Sequence, residues 1–584
     1  MNFRLIVITF LISLQLSLFS QSYYVGNDIS YANMMEDCGA DFKEDGVSKD
    51  VYQIFADHGS NLIRVRLWHN PIWQNSISQP AGVKNQYNDF ADVHEALQRA
   101  RAAGMQTMLG FQFSDFWAEP GRQVIPAAWK DVANNLPVLK DSVYNYVVNT
   151  LNALNKDGLL PDIIKVGNEA NSGMMIHESM DANQKAVGSI GGGWSRQAEL
   201  YNSAIKAIRD FSDTTVIKPK IALHRADPEG SEWWYNNIIS YGVTDFDIIG
   251  FSFYYSWHDN TIAEVGQIVA TLKFQHPTYD VMVIETGYLW STKNFDGYFN
   301  IIDTPDPAYK PVSPQKQLEY MVDLQRTVLR NGGVGCVFWE PDWVSTPCRT
   351  LWGKGSQQEH VAFFDPTNTN FMNNGGGRWM EPQFYENIYS PKITFKIDVG
   401  DHEVTDGVYL KGSWSDEYYP MLKLSNSVYS FAIYEMNEND TVGYYFTTDT
   451  TSEAARETIP DSCALWNGTD RQYIAGSSNE TVQMFWESCN SQDPNASSTV
   501  NLNADAGWYV SPNPGKDIIS VQFYDNLISR KVEVLDLNGR VCLSNRVMQE
   551  ERTKTLDISG LSTGIYIIQV QTEYKLDSRK LFVL

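Results

Sequence analysis

The chain has 584 residues, enough for about three or four domains or for one large barrel with appendages. Hydrophobic residues make up 43% and charged residues 20%, which excludes wholesale disorder, and 40 Gly with 23 Pro excludes collagen-like or low-complexity character. A formal charge of −25 disfavours nucleic acid and anionic membrane surfaces as partners, whereas 17 Trp, 31 Tyr and 27 Phe suit a neutral, hydroxyl-rich ligand such as a glycan.

Arg4 is the only charge before an apolar run from Leu5 to Phe19, and small or polar residues follow at Ser20-Gln21-Ser22. Residues 1–20 therefore read as a secretory signal peptide. The run falls short of the roughly 20 residues needed to span a bilayer, so no membrane span is expected and the mature chain should be exported.

From 23 to 390, short apolar runs alternate with amphipathic stretches. The expected strands are Tyr24–Ile29, Leu62–Trp68, Thr107–Ser114, Ile163–Glu169, Lys220–Arg225, Phe246–Tyr255, Val281–Gly287 and Val334–Glu340, with helical patterns such as Val93–Ala103, Ser142–Leu154 and Gln197–Arg209 between them. Near-continuous apolar strands followed by helices predict an α/β fold, a parallel sheet closed into a (β/α)8 TIM barrel. An open doubly wound sheet would want a Gly-rich turn after the first strand, and Val25-Gly26-Asn27-Asp28 is not one.

Two small all-β domains are expected to follow. Residues 391–489 alternate strands and turns in the manner of a β-sandwich, 490–503 form a polar linker, and 508–584 form a second β unit. Among six cysteines, Cys336 with Cys348 and Cys463 with Cys489 are close in sequence and are the candidate disulfides. No Cys-x-x-Cys spacing or His cluster points to structural zinc.

Two strand ends carry chemistry. Ile163–Glu169 (IIKVGNE) ends strand four on Glu169, and VMVIETGY ends strand seven on Glu285. Barrel enzymes build their sites at these carboxyl ends, and closure of the ring brings strands four and seven to opposite sides of one mouth. Two carboxyl groups so placed can hydrolyse a glycosidic bond with retention, Glu285 as nucleophile and Glu169 as acid/base, while Asn168 bonds the sugar 2-hydroxyl. Arg64 and Arg66 share one face of strand two, since side chains alternate with period two. Arg66 lies nearer the carboxyl end and is the expected partner of the nucleophile.

The stretches NLIRVRLWHNP (61–71), FSDFWAEPGRQVIPAAW (113–129), KVGNEANSGM (165–174), FDIIGFSFYYSWH (246–258), VIETGYLW (283–290) and VFWEPDW (337–343) resemble glycoside hydrolase family 53, the arabinogalactan endo-β-1,4-galactanases. The resemblance covers roughly 23–385 and implies Glu169 as acid/base and Glu285 as nucleophile. It also implies Asp115 and Trp117 as strand-three substrate residues, Trp339 as a sugar platform, and Tyr254, Tyr255 and His258 as the strand-six pattern. His224 joins the substrate-binding set. Gln112 stands where the family usually carries His, which removes a chargeable group. No cofactor and no metal ligand are expected, although some members bind calcium in the loops at 288–316 and 342–380, where Asp296, Asp303 and Asp306 are candidate donors without EF-type spacing.

The segment opening with YLKGSW resembles carbohydrate-binding or immunoglobulin-like modules, and Trp414, Tyr418 and Tyr419 are candidates to stack on a sugar; a ligand-free spacer is the alternative. VSPNPGKD, VLDLNGR and LSTGIYIIQV resemble the sorting domain of the type IX secretion system. The resulting expectation is a monomer that is secreted or held at the cell surface, has the secretion machinery as a partner, and cleaves β-1,4-galactosidic bonds in plant galactan and pectic polysaccharide. The alternatives are another retaining clan hydrolase, such as a β-mannanase or β-glucanase, and a non-catalytic glycan-binding protein.

Overall fold

Eight apolar runs form the parallel strands β1 (Tyr24–Asp28), β2 (Leu62–Leu67), β3 (Gln106–Phe111), β4 (Ile163–Val166), β5 (Lys220–Arg225), β6 (Ile248–Phe253), β7 (Asp280–Thr286) and β8 (Gly335–Trp339), and these close into a barrel. Closure is made by β8 on β1, with Asp28 opposite Trp339. The chain is seen in a computed structural model that describes residues 23–180, 182–185 and 192–371 apart from 259, 352 and 368, then 390–489 apart from 406 and 435, and the strands of 508–583. The proposed signal peptide and linker lie outside the described residues.

The strands are buried on both faces, which is why they read as continuous apolar runs rather than alternating ones. Inside the ring, Tyr24, Leu62, Met108, Ile163, Ala222, Ile248 and Met282 form one apolar layer toward the amino-terminal ends. Burying each such aliphatic side chain contributes about 1.5–3 kcal/mol. Outside, α1 (Val51–Asp57), α2 (Phe90–Ala102), α3 (Leu136–Lys156), α4 (Gly192–Ser212), α5 (Ser231–Ser240), α6 (Ile262–Gln275) and α7 (Pro314–Arg330) shield the sheet. Their starts follow capping rules: Asp50 accepts from the Tyr52 and Gln53 amides, Thr261 and Glu264 form a capping box, and Ser313 precedes a Pro at the first helical position. With an apolar layer filling the barrel's lower half, polar side chains are confined to the carboxyl-terminal mouth.

After the barrel, β9 (Ile393–Asp398), β10 (Tyr409–Gly412), β11 (Tyr418–Pro420), β12 (Leu422–Lys423), β13 (Val428–Ile433), β14 (Thr441–Thr447), β15 (Arg471–Ile474) and β16 (Glu480–Phe485) form two four-stranded sheets, in the orders β12-β13-β9-β16 and β11-β10-β14-β15. Lys392 ties this sandwich to α7 through Asp323 at 2.8 Å. Of the three aromatics expected to face a sugar, Trp414 and Tyr419 stack on each other at 6.4 Å against the sandwich core, and Tyr418 points away from them. Trp414 lies against Phe395 with ring centroids 5.7 Å apart, Tyr419 is buried beside Phe431, and Tyr418 remains part-exposed beside Lys411. Tyr418 and Tyr419 are adjacent on one strand and so point to opposite faces.

The carboxyl-terminal unit, taken by itself, holds β17 (Trp508–Ser511), β18 (Ile518–Phe523), β19 (Arg530–Leu535), β20 (Val541–Val547), β21 (Thr553–Asp557), β22 (Gly564–Gln571) and β23 (Leu576–Val583). They make a three-stranded sheet, β17-β18-β21, and a four-stranded one, β20-β19-β22-β23, around a core that includes Ile519, Val521, Val532 and Ile568. No helix among the described residues is long and apolar enough to cross a membrane.

One disulfide differs from expectation. Cys463 pairs with Cys489, but Cys348 pairs with Cys38, 310 residues away, and Cys336 is a free buried thiol. Cys336 sits inside β8 with its sulfur 3.7 Å from the Tyr23 hydroxyl, so it faces the packed core rather than the loop that carries Cys348. Cys38 ends the short helix Ala32–Asp37 in the β1 loop, and the bridge staples that loop to the β8 loop across the barrel seam. Cys348→Ala should destabilise the protein by about 2–5 kcal/mol in a denaturant titration, because the bridge constrains a very long loop of the unfolded chain. Cys463→Ala, which opens a loop of only 26 residues, should cost less.

Candidate active site

Arg64 is the centre of the mouth. Its Nε donates to Asp28 Oδ2 at 2.5 Å, Nη1 to the Ile284 carbonyl at 2.7 Å, and Nη2 to Glu285 Oε2 at 2.5 Å. One guanidinium thereby links β1, β2 and β7. Glu285, 8% exposed, also accepts from the Tyr254 hydroxyl at 3.0 Å. Burial pushes the Asp28 carboxyl up, yet the charges of Arg64 and Arg66 and the hydroxyl of Ser30 outweigh it and hold the group below its ordinary range.

Arg66 does not take the role expected of it. It lies two residues nearer the mouth on the same strand, where it contacts Glu340 Oε1 at the end of β8 and stacks between Tyr31 and Trp117, 4.4 and 4.2 Å from their ring centroids. The partner of Glu285 is Arg64, because at Arg64's depth the strand register sets Asp28 alongside and Glu285 across the ring.

Glu169 follows a tight turn at the end of β4, with Gly167 and Glu169 itself at positive φ (+76° and +45°). For Glu this is a strained backbone, held by Gln123, whose amide donates to the Asn168 carbonyl at 2.8 Å and the Glu169 carbonyl at 3.2 Å. The carboxyl accepts from Ser252 Oγ at 2.5 Å. Burial first, and the Glu285 charge second, push its pKa well above the usual carboxylate range. Ser252, which bonds Glu169, and Tyr254, which bonds Glu285, stand two residues apart at the end of β6 and so share one face, which sets both carboxyl groups over the same mouth.

The remaining predicted residues divide. Trp339 and Trp117 meet edge to face at 6.0 Å, Tyr254 approaches Trp339 at 6.3 Å, and half-exposed Trp257 lies 4.5 Å from Tyr254, giving the mouth an aromatic wall. Asn168 flanks Glu169 with its amide bonded to the Ala118 carbonyl at 2.8 Å. His258 Nδ1 accepts from the Tyr254 amide at 3.0 Å, and Tyr255 packs against the core. Asp115 holds loops together, accepting from the Asn70 amide at 3.0 Å and the Ala127 amide at 2.8 Å. Gln112 Oε1 accepts from the Ala118 amide at 3.0 Å. His224 is a correction: it is 0% exposed beneath Asn168 and Ser252, so it has no surface to offer a substrate.

Asp28, Ser252, Lys165 and Glu340 were not singled out from the sequence. The strand-end rule that found Glu169 also covers Asp28 and Glu340; Ser252 shows only as a residue two before Tyr254 on β6. The calcium candidates do not converge. Asp296 accepts from Ser345 and the Ser356 amide, Asp303 from Thr304, and Asp306 from the Ala308 amide, and no group of three potential ligands occurs among the described residues.

Removing Arg64 would leave Glu285 buried without its cation and Asp28 facing Arg66 at 4.0 Å, a loss of about 3–5 kcal/mol. Asp28 is depressed in the folded state, so its contribution is present above its ordinary value of 3.8 and lost as pH falls below it. Urea titrations should therefore show the Arg64→Met deficit at full size near pH 7 and shrinking toward pH 4, where the stranded carboxyls protonate. A deficit independent of pH would contradict the pairing.

Residues 24–374 match the model of glycosyl hydrolase family 53, and residues 509–584 match the secretion system C-terminal sorting domain. The arabinogalactan endo-beta-1,4-galactanase of Cellvibrio japonicus is 40% identical over 352 residues, 60% of this chain and 88% of that protein. The arabinogalactan endo-beta-1,4-galactanase of Thermothelomyces thermophilus is 30% identical over 339 residues, 55% and 90% respectively. Among solved structures, the GH53 catalytic domain of Ignisphaera aggregans superposes with a TM-score of 0.53 at 26% identity, covering 62% of this chain and 97% of that domain. With the family model spanning most of the chain and the paired carboxyl groups standing at the ends of β4 and β7, the chain belongs to glycosyl hydrolase family 53.

Proposed function

We propose that the protein is an exported endo-β-1,4-galactanase that cleaves galactan and arabinogalactan side chains of pectin with retention of configuration. The observation that carries the reading is the asymmetry of the two carboxyl groups: Glu285 is ion-paired with Arg64, while Glu169, part-buried opposite it, has a neutral hydroxyl as the hydrogen-bond partner of its carboxyl among the described residues. The activity named for the relatives supports the choice of substrate, and the sorting domain supports export, by a secretion machinery that acts as its partner.

Glu285 attacks the anomeric carbon while Glu169 protonates the departing glycosidic oxygen, and the sugar becomes an ester of Glu285. Esterification removes the negative charge that helps raise Glu169, so the same group becomes a stronger acid, loses its proton and can take one from the incoming water. The Tyr254 hydroxyl and Arg64 hold the two Glu285 oxygens, orienting the attack. Trp339 and Trp117 offer flat apolar faces to a pyranose ring, and Asn168, which gives one amide hydrogen to the Ala118 carbonyl, has a second for the sugar 2-hydroxyl. No cofactor enters this chemistry.

Purified polysaccharides test the substrate: galactan should yield galactose oligomers while mannan and β-glucan stay intact, and hydrolysis of mannan instead of galactan would overturn it. Glu285→Ala should lose at least about 10⁴-fold in rate, as expected for removal of a covalent nucleophile. With Glu169 raised to about 8, kcat/KM should hold through neutrality and fall above that pH as the acid loses its proton.

A further inference from the structure

Below the acid/base carboxyl lies a run of polar side chains that the mechanism does not use. Lys165, on β4, is 2% exposed, and a Cβ at Gly110 would stand 2.9 Å from its Cε, so the glycine on β3 gives the side chain its berth inside the barrel. Its Nζ contacts Asn168 Oδ1 and lies 3.1 Å from His224 Nδ1. His224 Nε2 lies 2.8 Å from Ser252 Oγ, and Ser252 reaches Glu169 Oε1 at 2.5 Å. We infer that Lys165, His224 and Ser252 form one directional hydrogen-bonded chain that positions the acid/base, reserving Oε1 of Glu169 as an acceptor and leaving Oε2 to carry the catalytic proton.

The direction follows from valence. Asn168 donates through Nδ2 to the Ala118 carbonyl at 2.8 Å, which turns its Oδ1 toward Lys165. His224 Nδ1 lies 3.1 Å from both Lys165 Nζ and Asn168 Oδ1; the inferred chain takes the tautomer in which Lys165, with hydrogens to donate in either protonation state, gives one to Asn168 Oδ1 and one to Nδ1. Burial, with Lys165 and Arg64 nearby, holds His224 neutral, and a neutral imidazole that accepts at Nδ1 carries its hydrogen on Nε2. That hydrogen goes to Ser252 Oγ, whose single hydroxyl hydrogen goes to Glu169. The charged or titratable groups facing Glu169 from the surrounding strands are Glu285, Lys165, Arg64 and Tyr254, with His224 behind Ser252. Of the hydrogen bonds to its carboxyl oxygens, the one from Ser252 connects to this chain. Burial, and Arg64 after it, bring Lys165 down to about 7, so the chain keeps its donors even where the lysine is uncharged.

The inference rests on the reading of Glu169 as acid/base, and the pH profile of kcat/KM on galactan tests the two separately. In Glu169→Gln the alkaline limb should disappear; a limb that persists there removes the acid/base reading and the chain with it. Ser252→Ala takes a donor from the Glu169 carboxylate and should move the limb up by roughly one pH unit. Lys165→Met should move it in the same direction by less. Because the links are in series, the double variant should shift no further than Ser252→Ala alone. A limb that stays fixed in both single variants reduces these residues to packing and overturns the chain; shifts that add in the double variant replace it with independent through-space effects. Should Ser252→Ala not fold, Ser252→Cys, whose thiol is a far weaker donor, replaces it in the single and the double variant, and the same outcomes decide.

Discussion

A guanidinium enclosed by the barrel holds the mouth together. Arg64 is 3% exposed and spends its donors on Asp28, the Ile284 carbonyl and Glu285, so one side chain couples the first, second and seventh strands of the ring. Burying a cation costs several kcal/mol, and two anions with a backbone acceptor in good geometry are what offset it. The same arrangement confines the apolar filling of Leu62, Met108, Ile163 and Met282 to the layer below and leaves a polar chamber above. Arg66, two residues on, repeats the device one level higher with Glu340 and the Tyr31 and Trp117 rings, so the β1, β2 and β8 ends are held by stacked charge and aromatic contacts rather than by loops alone.

That framework makes two chemically identical side chains different. Glu285 meets a fixed cation and a phenol; Glu169 meets a hydroxyl, low dielectric and the Glu285 charge. The left-handed backbone at Glu169 is a local cost of about 1–3 kcal/mol, sustained by Gln123 and by the packed turn around Gly167. Rigid strands thus set the electrostatics, and the mobile partner in the reaction is the proton.

Much of this was legible in the sequence, for identifiable reasons. Continuous Val/Ile/Leu runs revealed β2, β6 and β7, and Gly-Asn-Glu and Ile-Glu-Thr-Gly located Glu169 and Glu285 at the ends of two barrel strands. Depth within the ring was not legible. Period two puts Arg64 and Arg66 on one face, but which of them meets Glu285 depends on strand tilt and stagger, which no local pattern encodes. His224 failed for the same reason, being an inward residue one layer too low. Cys348 bonded with a cysteine far away in sequence because barrel closure, not chain proximity, brings the β1 and β8 loops together. In the sandwich, Trp414 packs part-buried against the core beside Phe395.

The central claim is that Glu285, held by Arg64, forms the covalent bond to sugar. Incubation with an activated 2-deoxy-2-fluoro-galactoside, whose fluorine slows release of the intermediate, followed by peptide mass mapping, tests it at the atom concerned. The account predicts one sugar per chain, esterified on the peptide that carries Glu285. A label on any other residue, or turnover without a trapped adduct, would contradict it.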